Sequence, residues 1–280
     1  MNSRPPLSSP NWQAELNLCF SRAGERTVLR ENRHRGPLRV QKALYPEGAA
    51  VCQAIVLHPP SGIAGGDQLA LKVAVETDAH AQLTTPGAGK WYRSDAAEAV
   101  QLINFSVAEN ATLEWLPQES IIFDGARARM ETRVTLAANS RYLGWEILCL
   151  GRAAAGERFE HGRFDLFLRI DHDDQPIWIE RGGFAGADPI LQSPAGWAGA
   201  SVCGTLLAAF PLAADLLARC RAMAPADGAK HGISALPGVL VARYLGDSSE
   251  AARLWFTALW ATIRPACCAR AAILPRIWTT

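Results

Sequence analysis

Residues 58–94 read HPPSGIAGGDQLALKVAVETDAHAQLTTPGAGKWYRS and contain the pattern that decides the fold. Between Leu69 and Val75, apolar side chains at every second position alternate with small or charged ones. This period of two is typical of a β-strand with one buried face. A turn at Thr77 and Asp78 leads into a second run, residues 79–85, so the stretch predicts a strand, a polar turn and another strand.

Two glycine-rich loops flank this unit. The first begins with His58 and two prolines and ends at Gly65, Gly66 and Asp67, a composition suited to positive φ and a sharp reversal. The second, residues 86–94, leads from Pro-Gly-Ala-Gly into basic, aromatic and hydroxyl side chains. Such a density of special residues indicates functional loops, with purely structural loops as the alternative.

The unit recurs along the chain. Leu83, Leu113 and Leu143 each lie in the second arm of a strand, turn, strand segment, and a related unit covers residues 164–180. The polar residues expected at the first three turns are Asp78, Glu109, Asn110, Asn139 and Ser140. Stacking such units would bury a face that one hairpin cannot bury alone, which predicts a mainly β fold of layered, β-helix-like sheets. Ordinary meander hairpins of similar length remain the alternative.

Composition changes after Pro194, where alanine and leucine become frequent. Residues 213–224 predict one helix, and residues 239–244 predict a strand. A second apolar helical stripe, running from Ala251 to Thr262, is expected to start in a capping box at Asp247 and Glu250 and to end before Pro265. The chain is thus expected to form a single domain over residues 1–280. Within it we expect a disordered segment at 1–11, a β body at 12–194 and an α/β portion with about two helices at 195–280.

The overall composition excludes several classes of protein. The chain has 280 residues, of which 49% are hydrophobic and 20% are charged, and a formal net charge of +1. This balance gives no electrostatic reason to expect nucleic acid or an anionic membrane as a partner. No run approaches the ~20 apolar residues of a membrane span. Seven cysteines without a disulfide or zinc spacing favour a reducing, cytoplasmic location.

Enzyme motifs fail on inspection. The segment from Gly87 to Lys90 resembles the end of a phosphate-binding loop, but Thr84 replaces its first glycine and Trp91 replaces its magnesium-binding hydroxyl. The chain contains neither the GxSxG nor the HExxH pattern. A nucleotide-binding or motif-bearing hydrolase function is therefore not indicated.

Carboxylates within or beside apolar strands are more informative. Burying an ionised carboxylate is costly unless a cation, a hydrogen-bond donor or water meets it. Salt bridges to neighbouring arginines, or exposure, would satisfy each one singly; together they would line a hydrated passage that holds a divalent transition ion weakly. The residues concerned are Asp67, Glu114, Glu119, Asp124, Glu146 and Glu180.

Five motifs, in order along most of the chain, resemble the urease accessory protein family UreD, called UreH in some systems. They read HPPSGIAGGD, TTPGAGKWYRS, LEWLPQESIIFDGA, GWEILCLGR and LPRIW. The resemblance implies a mostly β, β-helix-like scaffold that binds apo-urease on one side and the accessory proteins UreF and UreG on the other. It also implies that the chain is not an enzyme and has no tightly bound cofactor. Nickel would be in transit through a tunnel.

Matching these motifs residue by residue places four side chains on or near the nickel path: Asp67, Ser94, Glu146 and Glu180. The chain departs from the family at Ser61, where glycine is frequent, and at Gln68, where a charged residue is common. The second departure weakens the case for a carboxylate pair at the tunnel mouth. Exposed aromatic residues, including the LPRIW terminus, are candidate docking anchors.

Two other classes of function remain as alternatives. A β-solenoid polysaccharide hydrolase or lyase would use Asp67 with Glu146 or Glu180 as an acid/base pair in an open groove. A carbohydrate- or peptide-binding module would present Trp91 and Tyr92 as an aromatic platform.

Overall fold

The computed structural model describes residues 12–279, and the strands in this range lie mainly in two sheets. The disorder expected of residues 1–11 falls outside the described residues. The strands are β1 (Gln13–Ala23), β2 (Arg26–Arg35), β3 (Arg39–Leu44), β4 (Cys52–Leu57), β5 (Gln68–Val75), β6 (His80–Thr84), β7 (Gly89–Trp91), β8 (Ala99–Val107), β9 (Thr112–Leu116), β10 (Ser120–Ile122), β11 (Arg127–Leu136), β12 (Arg141–Leu150), β13 (Arg163–His172), β14 (Gln175–Ala185), β15 (Val202–Ala209), β16 (Lys230–Leu236) and β17 (Val239–Gly246). Two α-helices, α1 (Ala214–Arg221) and α2 (Ser249–Cys268), follow β15 and β17.

The two sheets are built mainly from parallel neighbours. Sheet A has the strand order β14-β13-β11-β8-β5-β1-β2, and the run from β13 to β1 is parallel throughout. Sheet B has the order β16-β17-β15-β12-β9-β6-β4-β3, with the run from β12 to β4 parallel. The short strands β7 and β10 continue the stacking beside the second half of β12.

The chain therefore winds as a solenoid. It passes through β5 in sheet A, β6 in sheet B and β7, and then returns to sheet A as β8, which stacks in parallel on β5. The next coils repeat this course, and the predicted β-helix-like architecture is confirmed. The two arms of each of these units lie in different sheets and pair with neighbouring coils rather than with each other.

Residues in the left-handed backbone conformation form the turns between the sheets. Asp78, Asn110 and Asn139 have φ of 60°, 57° and 57°, and each stands at a turn position expected from the sequence. Short polar side chains tolerate this conformation better than bulky ones do. The thirty-residue leucine spacing is only an average period, because Leu83 pairs with Trp115 while Leu143 pairs with Glu114.

Two hydrophobic cores follow from the alternation of side chains. One lies between the sheets and contains the inward residues of β1 and β5, including Leu16, Phe20, Leu69 and Val75. The last two lie inward as the alternation from Leu69 to Val75 predicted. The other lies between the outer face of sheet B and the helices, and contains Trp145, Trp255, Phe256 and Trp260. Strands β15 and β17 extend sheet B, so the C-terminal part continues the sheet of the β body.

The first helix forms within the expected residues, but the bounds expected for the second were wrong. Its N-cap is Ser248, whose side chain accepts a hydrogen bond from the Ala251 amide, whereas Asp247 accepts one from the amide of Ser201. The helix also continues past Pro265 to Cys268. Packing of its last turns on sheet B offsets the helix-breaking effect of an internal proline. In residues 12–279, no helix is both long and apolar enough to span a membrane.

A buried ion cluster fixes α2 to sheet B. The Arg264 guanidinium, with no exposed side-chain surface, lies 3.0 Å from the Glu114 carboxylate and 2.6 Å from that of Glu47. Glu114 also accepts hydrogen bonds from Trp260 Nε1 at 2.6 Å and bonds His80 Nε2 at 2.7 Å. Burial raises the pKa of Glu114, but His80 and Arg264 outweigh this effect and lower it to about 2. The carboxylate is thus fully compensated where it stands.

We expect Arg264→Leu to lower the free energy of unfolding by about 3–5 kcal/mol, because it leaves two buried carboxylates without their cation. Urea unfolding measures the change. The matched control is Arg253→Leu, at a half-buried position of the same helix, which should change stability far less. Equal losses for the two variants would contradict the importance assigned to the cluster.

Candidate functional site

A cavity of about 330 Å³ lies between the two sheets. Inward residues of β5, β8 and β11 form one wall, and inward residues of β4, β9 and β12 form the other. Both glycine-rich loops predicted from the sequence border it. Its polar or polarisable lining residues are His58, Ser61, Thr85, Lys90, Gln101, Gln118, Ser120, Met130 and Glu146.

Glu146 is the carboxylate in this lining. It is half-buried because the side chain points inward to the cavity, and Thr132 Oγ1 donates to its Oε1 at 3.3 Å. Burial raises the pKa of Glu146, the hydrogen bond from Thr132 opposes this and the Glu180 charge adds to it, so that the resulting pKa is about 7. One neutral donor gives incomplete compensation, so the group can exchange a proton near neutral pH.

A second carboxylate, Glu180, lies where β14 faces β17. Arg243 Nη1 donates to Glu180 Oε1 at 2.6 Å and to Thr205 Oγ1 at 2.9 Å. The Glu180 side chain is 15% exposed and that of Arg243 is 42% exposed, so this pair lies at the rim of the interior.

Strand registers connect the two carboxylates. In sheet B, Glu146 pairs with Thr205, which pairs with Arg243. In sheet A, Thr132 pairs with Leu168, which pairs with Glu180. Side chains paired in this way lie side by side on one face of a sheet. The paired residues of sheet B and those of sheet A contact each other at both ends. The Thr132–Glu146 hydrogen bond joins them at one end and the Arg243–Glu180 hydrogen bond joins them at the other.

We call these five polar residues, Glu146, Thr132, Thr205, Arg243 and Glu180, the polar row. Neighbouring strands are about 4.8 Å apart, so the row extends about 10 Å from the cavity to the rim. It lies beside the apolar side chains of the inter-sheet core. The row places two of the predicted carboxylates, Glu146 and Glu180, in one line of polar side chains.

The other two residues predicted for the nickel path lie in the glycine loops. Asp67 is 3% exposed, and its two oxygens accept hydrogen bonds from the amides of Trp12 and Ala64, both at 2.8 Å. Ser94 donates to the carbonyl of Ala97 at 2.7 Å. Any side chain at Gly65 would collide with Ser94 Oγ, which explains the glycine there. The structure therefore brings Glu146 and Glu180 together and gives Asp67 and Ser94 local bonds of their own.

Sequence reasoning missed two cavity residues with unused polar atoms. His58 Nε2 and Trp115 Nε1 are buried and have no hydrogen-bond partner among the described residues. Burial lowers the pKa of His58, although the Asp67 charge opposes this, so the ring is neutral near pH 7. The alternation of β4, continued to His58, and that of β9 indicate that these two side chains point inward. Alternation does not indicate that a cavity lies there.

Arg243 was also missed, since nothing in the local sequence distinguishes an arginine in a strand from a surface residue. Its role depends on Glu180, which is distant in the chain and lies in the other sheet.

Two further acidic candidates, Asp124 and Glu114, have structural partners. Asp124 accepts hydrogen bonds from the amides of Glu160 and His161 at 2.8 and 2.7 Å, and it pairs with Arg93 at 3.3 Å. Glu114 belongs to the buried ion cluster under α2. For these two residues the salt-bridge alternative is confirmed.

Among residues 12–279, one group of three potential metal ligands lies within 4.8 Å, namely His80, Glu114 and Cys268. The Arg264 guanidinium already contacts both oxygens of Glu114. The hydrogen bond with Cys267, together with burial, holds the pKa of the Cys268 thiol well above its usual range. A resident cation and a protonated thiol do not favour a divalent metal, so this group is a structural cluster.

The aromatic platform expected for a ligand-binding module was wrong. Trp91 is 1% exposed because its strand turns it into the inter-sheet core. Tyr92 is partly exposed and packs edge-on against Phe123, which leaves a single aromatic ring rather than a flat platform. The acid/base pair of the hydrolase alternative also loses support, since both Asp67 oxygens accept backbone amides.

The C-terminal LPRIW motif contributes a packed ring instead of a free anchor. Trp278 lies against Trp145 and Trp260, and its Nε1 donates to Thr84 Oγ1 at 2.8 Å. Ile273 and Leu274 beside it are 44% and 52% exposed. The candidate docking surface in this segment is therefore aliphatic.

The architecture defines a β-solenoid whose interior carries a cavity and a row of carboxylates and hydroxyls. A family model described as the UreD urease accessory protein matches residues 13–279. A urease accessory protein UreD from Dechloromonas aromatica (strain RCB) is 73% identical over 288 residues, which cover 100% of both chains. Another from Azoarcus sp. (strain BH72) is 50% identical, with 98% of this chain and 96% of the relative covered. The chain belongs to the UreD family of urease accessory proteins.

The raised pKa of Glu146 generates a prediction about stability and pH. The unfolded chain loses this proton near pH 4.5 and the folded chain near pH 7. The folded state binds more protons between these values, so the contribution of Glu146 to the free energy of unfolding falls as pH rises through this window. Glu146→Gln cannot ionise. We therefore expect its free energy of unfolding, relative to that of the parent, to increase by up to about 3 kcal/mol as the pH rises from about 4.5 to about 7.

Urea unfolding at several pH values across this range measures the difference. The matched control is Glu109→Gln, at an exposed turn, whose difference from the parent should stay nearly constant with pH. A flat profile for Glu146→Gln would show that the carboxylate is not buried as described.

Asp67 is expected to act on stability. Asp67→Ala removes the acceptor of two backbone amides and should lower the free energy of unfolding by about 2 kcal/mol. The control is Asp95→Ala, in the exposed part of the neighbouring loop, which should be close to neutral. Unchanged thermal and urea unfolding of Asp67→Ala would contradict this structural role.

Proposed function

We propose that this chain is a scaffold for nickel insertion into apo-urease and that the ion crosses it along the polar row. The observation that carries the proposal is the position of Glu146, an incompletely compensated carboxylate in an internal cavity, in line with Glu180 at the rim. Family membership supports the urease context.

The chemistry of the row suits transit rather than storage. Carboxylate and hydroxyl oxygens are weak ligands for Ni²⁺ compared with clustered histidine or thiolate ligands. Glu146 can give up its proton when a cation arrives and take one up when the cation leaves, because its pKa lies near neutrality. In the proposed function, Asp67 and Ser94 hold the glycine loops beside the cavity in shape through their local hydrogen bonds.

The partners we propose are the urease apoprotein, UreF and UreG. Exposed aliphatic side chains are the candidate contact points, because an interface would remove their apolar surface from water. They include Ile179, Leu236, Leu254, Ile273 and Leu274. The chain would work in the cytoplasm as a docking platform without chemistry of its own, and GTP hydrolysis would belong to UreG.

Reconstituted urease activation tests the proposal. The mixture contains apo-urease, UreF, UreG, GTP, nickel and bicarbonate, with or without this chain. We expect activation to require the chain and to fall at least about tenfold with Glu146→Gln or Glu180→Gln, because each substitution removes a charged ligand while the partners still bind. The matched control, Glu131→Gln in β11, replaces a carboxylate that pairs with Arg133 and should activate normally.

Co-purification with UreF and urease separates docking from transit. Activation that does not depend on the chain would overturn the scaffold function. Normal activation by both variants would overturn the polar row as the path and leave docking intact.

A further inference from the structure

We propose that Arg243 is a displaceable counter-ion that closes the rim end of the polar row by occupying the place a divalent cation would take beside Glu180. This inference rests on the proposed function. It adds a residue that controls entry to or exit from the row, and a cause for that control.

The contacts of Arg243 are those a cation would make. Its Nη1 lies 2.6 Å from Glu180 Oε1 and 2.9 Å from Thr205 Oγ1, so one atom of the guanidinium meets two oxygens from opposite sheets. Both oxygens are of the type that hard and borderline divalent ions accept. While the guanidinium stays there, these oxygens are engaged and the local charge repels a second cation.

The surroundings allow the guanidinium to leave. The Arg243 side chain is 42% exposed, and its guanidinium lies 5.6 Å from the centre of the ring of Trp178, a partly buried residue that packs against the inter-sheet core. A long, flexible side chain at the rim can turn to water without any movement of the strand that carries it. Arg264, with no exposed side-chain surface, cannot do the same.

The consequence of removal is electrostatic. Arg243 is the cation in contact with the carboxylate at the rim end of the polar row. Without it, the Glu180 carboxylate and the Thr205 hydroxyl lose the cation that contacts them both. A divalent ion is the natural replacement, because it restores the balance that the guanidinium provided.

Other arginines in ion pairs with strand carboxylates differ in one respect. Arg163 and Arg169 each pair with an aspartate two residues along the same strand. Neither joins two sheets, so their loss leaves no carboxylate facing the interior. They provide matched controls for the loss of a guanidinium.

Nickel binding to the full chain, measured by isothermal titration with Ni²⁺ alone, tests the proposal. We expect Arg243→Gln and Arg243→Met to bind Ni²⁺ at least about tenfold more tightly than the parent, because a competing positive charge is gone. Arg243→Lys keeps that charge and should bind like the parent. Arg169→Gln should also bind like the parent.

The double variant Arg243→Gln with Glu180→Gln should lose the gain, because the freed carboxylate is then absent. Two neutral variants are used so that a folding defect in one does not decide the result, and each is checked by its urea unfolding transition. If the tighter Ni²⁺ binding came from a folding defect and not from the lost charge, Arg243→Lys would also bind Ni²⁺ more tightly. A merely structural role for Arg243 predicts that outcome.

Unchanged affinity in both neutral variants would overturn the counter-ion role, and so would a gain that survives Glu180→Gln. The urease activation assay reports separately on the proposed function. Glu180-dependent tightening together with normal activation by Glu146→Gln and Glu180→Gln would uphold the counter-ion and reject the path. If Glu146→Gln and Glu180→Gln lose activation but the Arg243 variants do not bind Ni²⁺ more tightly, the path would be upheld and the counter-ion role rejected.

Discussion

Parallel stacking of the coils is the constraint on which the rest of this structure depends. Each strand from β5 to β12 takes its hydrogen bonds from the coils before and after it, so the register of one coil sets that of the next. A slip of one residue would turn every inward side chain outward. The inward rows of both sheets are therefore fixed together, and so are the few polar residues among them.

Two acidic side chains of sheet B, Glu114 and Glu146, are compensated to opposite degrees. Glu114, under α2, is surrounded by Arg264, His80 and Trp260, and its pKa falls to about 2. Glu146, in the cavity, has one neutral donor, and its pKa rises to about 7. The first arrangement binds the C-terminal helix to the solenoid, and the second keeps a carboxylate ready to exchange its proton. The compensated and the incompletely compensated carboxylate thus lie on opposite faces of sheet B.

This division fits a scaffold protein of the UreD family. A cation path through a protein interior needs walls that do not move, and the ion cluster and the tryptophans around Trp278 hold the outer side of sheet B. The inner side then presents the oxygens of the polar row at fixed spacing, because register sets their separation. Because sheet B is continuous, the packing on its outer face also holds the strands whose side chains form the polar row on its inner face.

The sequence by itself determined the elements and their directions. Alternation at Leu69 to Val75 set the buried face, polar residues such as Asp78 and Asn110 marked the turns, and the motifs identified the family. It also selected Glu146 and Glu180 as strand carboxylates that need an explanation. Only the tertiary structure decided that these two share a row, that Asp67 satisfies backbone amides, and that Arg243 covers Glu180. It also overrode local signals, since packing on sheet B carried α2 through Pro265. The physical reason is that alternation reports the face of a strand, whereas partners across two sheets depend on register between residues far apart in the chain.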